Sequence, residues 1–97
     1  MKKLLLATAL TLTIPFTAQA NTNTLETCEI YSNIAESVME FRQMGGDMAT
    51  LMQKMSGYEL SKSLILAAFK KPHYHTEGNQ RRAIQDFKNE AFLACYK

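Results

Sequence analysis

The chain has 97 residues, 46% of them hydrophobic and 21% charged, with 11 Lys and Arg against 9 Asp and Glu. Two of those lysines, Lys2 and Lys3, sit in an N-terminal segment that reads as removable, and without it the two signs balance at 9 each. That balance leaves no basic face and excludes nucleic acid as a partner, while the length allows one domain with a small core.

Met1 to Ala20 has the parts of a secretory signal peptide. Lys2 and Lys3 precede the apolar run Leu4 to Ile14, Pro15 breaks it, and Ala18-Gln19-Ala20 has the small-x-small form of a cleavage site. The run is short of the roughly 20 residues that span a bilayer. It leads into the polar Asn21-Thr22-Asn23-Thr24, with no basic stop-transfer cluster. The sequence therefore predicts export to the periplasm, or secretion, and one domain over residues 21–97. With Asn21 and not Cys after the cut, no lipid anchor is expected, and no membrane attachment after cleavage.

Asn23-Thr24, with Glu26 behind, can cap a first helix over about Leu25–Met44. Tyr31, Ile34, Ala35, Val38, Met39 and Phe41 form its apolar stripe, and Glu29, Asn33, Glu36 and Glu40 fall on the other side. Gly45-Gly46 ends it, with Arg42 complementing the helix dipole in the last turn. Asp47 can cap a short second helix, Met48–Met55. Ser56-Gly57-Tyr58-Glu59 has capping-box spacing and would open a third. The third helix carries Leu60, Leu64 and the apolar run Ile65 to Phe69. A helix apolar nearly all round is normally buried, which predicts a central place for it. Pro72 stops it, and Lys71 to Gly78 reads as the longest loop. The last helix, about Asn79–Tyr96, presents Ile84, Phe87, Ala91 and Cys95 on one face. No strand alternation, repeat or linker is present. The fold expected is a small all-α domain of four helices, one of them short.

Cys28 and Cys95 are the only cysteines. In an exported chain they most simply form one disulfide. Their spacing matches neither CxxC redox chemistry nor a zinc site, which needs further ligands. The bond would join the start of the first helix to the end of the last and set the two antiparallel.

Candidate chemistry is sparse. Met44, Met48, Met52 and Met55 would share a face if helix continued through the glycines, and thioethers suit Cu(I). Core filling, or an adaptable binding surface, is the simpler account. His73, His75 and Glu77 could point one way in an extended loop and hold Zn²⁺ or Cu²⁺ with one more ligand, but no scaffold fixes them. Glu36 and Glu40 lie one turn apart on a polar face, without the cleft that splits carboxylate pKa values for acid–base work. There is no nucleophile elbow and no glycine-rich phosphate loop. Neither catalysis, nor a cofactor, nor a metal is expected. The corner Arg42-Gln43-Met44, with Met48 beyond the glycines, reads either as a partner-binding site or as simple helix capping.

Cys28, Ala35, Val38-Met39, Arg42-Gln43 and Gly46, then Ala68-Phe69, Pro72, Phe87 and Cys95, resemble a loosely defined group of small exported proteins of phages, prophages and bacteria. That resemblance implies export and a similar fold, and it brings no functional residues. The reading that follows is a non-enzymatic periplasmic module that binds another protein, such as an inhibitor, exclusion or immunity factor. The alternatives are a small acid-stress chaperone, which self-repulsion of its basic groups would open in acid, and a copper or zinc binder.

Overall fold

The computed structural model describes residues 24–96 and forms four helices there: α1 Leu25–Gln43, α2 Met48–Lys54, α3 Glu59–Phe69 and α4 Glu77–Cys95. No strand occurs among the described residues. The signal-like segment Met1–Ala20 lies outside them.

Each boundary has a local cause. Thr24 Oγ1 accepts from the Thr27 N–H at 3.1 Å, and Asp47 Oδ2 from the Thr50 N–H at 3.0 Å, so both caps satisfy an orphan donor. α1 ends in a Schellman motif. The Gly46 N–H donates to Phe41 O at 2.9 Å and the Gly45 N–H to Arg42 O at 3.1 Å, with Gly45 left-handed at φ 85°. Gly46 is held for a second reason: the Phe41 ring covers it, and a Cβ there would run into that ring. Gly46→Ala is therefore expected to destabilise by about 2 kcal/mol. Urea denaturation measures this, and a change below about 0.5 kcal/mol, the level of an ordinary surface substitution, would show that the ring swings aside at no cost.

Two starts differ from expectation. Ser56 does not cap α3, because Gly57 has φ 96° and a left-handed residue cannot begin a right-handed helix. Met55–Tyr58 instead makes a turn closed by the Tyr58 N–H on Met55 O at 3.2 Å, and α3 begins at Glu59 behind an N-cap without a side-chain bond. At α4, Thr76 Oγ1 accepts from the Asn79 N–H at 3.3 Å, so the helix starts two residues earlier than expected and shortens the loop.

α1 is the central helix, with α4 packed on one side of it and α3 on another, while α2 packs on α3. The expectation that α3 holds the centre is corrected. α3 buries only Ser61, Leu64, Ile65 and Ala68 and leaves Leu60 and Leu66 exposed. Four helices are too few to surround any one of them. The helix able to serve two neighbours is α1, whose buried positions Cys28, Ser32 and Ala35 are small. The core joins Val38, Met39, Leu51, Leu64, Ile65, Phe87 and Ala91, with Tyr31, Ile34, Phe41 and Ile84 half-buried against it.

α1 and α4 run antiparallel, in step. Cys28 bonds Cys95, Glu36 pairs with Lys88 at 3.2 Å, and Gln43 O accepts from Gln80 at 3.2 Å. Each advance of two turns along α1 is matched by two turns back along α4.

Candidate functional site

The disulfide closes one end of the α1–α4 pair, with the two Cα atoms 5.6 Å apart, inside the range this bond requires. Cys28 is fully buried, and Cys95 is half-buried.

The other end is closed by Gln43, which is only 2% exposed. Its Nε2 donates to Pro72 O at 2.9 Å and lies 3.4 Å from Met39 Sδ, and its Oε1 accepts from the Tyr74 N–H at 2.9 Å. Its backbone carbonyl accepts from Gln80 Nε2 and from His73 Nε2, the latter at 2.9 Å. A carbonyl can only accept, so this ring nitrogen carries the proton. Gln80 Nε2 also reaches Tyr74 O at 2.8 Å. Gln43 and Gln80 together thus tie the loop down at Pro72, His73 and Tyr74.

Arg42 works beside it. Nη2 and Nε donate to Lys71 O at 2.9 and 3.3 Å, and the guanidinium lies over the Phe69 ring at 5.1 Å. Arg42 therefore serves the carbonyl end of α3 as well as its own helix end. Of the corner Arg42, Gln43, Met44 and Met48, two members spend their polar groups inside the chain and Met48 packs half-buried against the core. Met44 alone stands open, at 83% exposure.

The methionine row is divided. Gly45 turns the chain, leaving Met44 apart, while Met48, Met52 and Met55 pack against the core. His73 and His75 stand edge to face, 5.6 Å between centroids, with His73 committed to Gln43. Among the described residues no group of three or more His, Cys, Asp or Glu is arranged to hold a metal ion. Glu36 is half-buried in its pair with Lys88.

What remains is an apolar groove between α1 and α3, beginning beside the disulfide. Its first hollow, about 350 Å³, is lined by Thr27, Ile30, Tyr31 and Ile34 of α1, Leu60 of α3, and Ala94 and Cys95 of α4. The second, about 340 Å³, is a separate and shallower depression on the other flank of Ile30 and Ile34, lined also by Asn33, Ser37 and Met55. Ten residues line the two, with Ile30 and Ile34 shared, and none carries a charge. Ile30 is 58% exposed and Leu60 65%.

Sequence reasoning did not single out Ile30, and it placed Leu60 in a helix expected to be buried. Ile30 stands one turn before Ile34 on the edge of the α1 stripe, and Leu60 lies in the first turn of α3 outside its buried face. The available signal was an aliphatic pair at i, i+4 on a helix whose remaining apolar positions already suffice for two neighbours.

Fold and site together define a small, all-α, disulfide-closed domain with a neutral apolar groove, and no helix of the described residues is long and apolar enough to cross a membrane. Comparison of the chain with protein-family models, with curated proteins and with solved structures finds no match in any of the three.

Proposed function

We propose that this domain is a non-enzymatic module that acts by binding another protein, and that the groove along Ile30, Ile34 and Leu60 is its contact surface. One observation carries the reading: more than half of Ile30 and of Leu60 stays in water, beside two adjoining hollows that no charged residue lines. Apolar surface gathered in one concave place marks an interaction site more often than scattered apolar residues do. The signal-like N-terminus and the disulfide support the periplasm as its place of action. Small size, a signal-like N-terminus and a disulfide-closed helical body favour an inhibitor, exclusion or immunity factor as its kind. Arg42 and Gln43 become builders of the fold in this reading, and recognition moves to the opposite end of α1.

A photo-crosslinking side chain at position 30, in the chain expressed with its own N-terminus, is expected to capture one partner saturably. The same group at the exposed Glu40 is expected to capture none. Leu60→Glu should abolish capture while changing stability by under about 1 kcal/mol, since the position is a surface one. Equal, non-saturating adducts at positions 30 and 40 would end the proposal.

A further inference from the structure

We infer that the Cys28–Cys95 bond is opened from one side only: a small monothiol attacks the sulfur of Cys95, and Cys28 departs as the thiolate. Two cysteine sulfurs joined in a disulfide are chemically alike until a fold distinguishes them. Which one is attacked then depends on access and on how readily the other leaves. In this domain both factors select Cys95.

Cys28 has no exposed surface, so a thiol reaches it only after the packing around it comes apart. Cys95 is half-buried and lines the hollow of about 350 Å³ beside the bond, to which Cys28 contributes nothing. No charged residue lines that hollow, so an incoming thiolate meets no fixed carboxylate there.

The helix ends favour the same direction. Cys28 is the fourth residue of α1, within reach of the positive end of its dipole, and helical side chains lean toward that end. Cys95 is the last residue of α4, at the negative end, and no basic residue stands in that last turn. The charge set free when the bond breaks is therefore better placed on Cys28. Burial works against a thiolate there and slows the opening, but attack on Cys28 itself would first require the fold to loosen.

In the first step the thiolate forms a bond to Cys95 Sγ as the Sγ–Sγ bond breaks, and the electron pair of the broken bond leaves on Cys28 Sγ. A second thiolate attacks the outer sulfur of the mixed disulfide and releases Cys95. Two thiols become one small disulfide, and each protein thiolate takes up one of the two protons they gave. Run backwards, the same path makes Cys95 the carrier of the mixed disulfide and Cys28 the sulfur that closes the bond.

The test uses the purified, processed, oxidised chain with 2-mercaptoethanol as the thiol. Early samples are blocked with N-ethylmaleimide and digested without reduction. Trypsin cuts after Arg42 and Lys88, which puts the two cysteines on separate peptides for mass spectrometry. Molecules holding one mercaptoethanol are expected to carry it on Cys95, with maleimide on Cys28, in at least about tenfold excess over the reverse. Sulfite, which leaves a stable S-sulfonate on the sulfur it attacks, should mark Cys95 by the same excess and reads the site even where the mixed disulfide is short-lived. In concentrated urea, where both sulfurs are reachable, the excess should fall to about twofold or less. An even split on the folded chain overturns the inference, as does label found mainly on Cys28. An excess that survives urea unchanged overturns it too, because local sequence and not the fold would then set it. If neither reagent labels the chain until its helical circular dichroism is lost, the bond is closed at both sulfurs and the inference fails.

Discussion

Reduction of the Cys28–Cys95 bond, or its replacement by two alanines, is expected to lower stability by about 4 kcal/mol in the chain-entropy model. The bond joins positions 67 apart, so it removes a large share of the unfolded chain's freedom while asking little of the native state. A domain of this size commonly has on the order of 4–10 kcal/mol in total, which makes this single bond worth a large fraction of the whole. In thermal unfolding followed by circular dichroism, the midpoint should fall by about 15–30 °C on reduction, at roughly 4–8 °C per kcal/mol. A shift of only a few degrees would mean that the reduced chain keeps its ends together by packing alone.

The second large effect is expected at Gln43. Gln43→Leu keeps nearly the same volume, so no cavity opens, but it strips the partners from Pro72 O and the Tyr74 N–H. Leaving such groups unsatisfied costs about 1–3 kcal/mol each, and partial access to water brings the sum to about 3 kcal/mol. Chemical denaturation gives the stability change. Hydrogen exchange at the Tyr74 amide gives its location, since that proton should lose protection well before the α1 and α4 amides do. A loss under about 1 kcal/mol, with Tyr74 still protected, would show that other contacts hold the loop.

Much of the fold was legible because its causes are local. Gly45-Gly46 can stop a helix from sequence alone, Asp47 can cap one, and Pro72 bars continuation. Cys28 and Cys95, the only two cysteines of a chain expected to be exported, had few alternatives to one another. The errors lie where several elements compete. The apolar run from Ile65 to Phe69 suggested a helix buried on all sides, but burial depends on how many neighbours exist, and a chain this short supplies too few. Ser56 satisfied the spacing of a capping box that the left-handed Gly57 forbids. Gln43 looked like an exposed polar residue beside a glycine turn. Its burial is decided by a loop about thirty positions away, which no local pattern announces. The groove was the least legible feature. Ile30 and Leu60 matter for what they fail to cover, and only the placement of α3 against α1 reveals that.

The position of the disulfide has a further consequence for the chain as a covalent object. Almost all of the described chain lies between its two ends, including the exposed turn at Gly57. A protease that nicks that turn therefore severs the backbone without releasing a fragment. The cut molecule would migrate as a single species until a thiol reagent is added, and only then part into two.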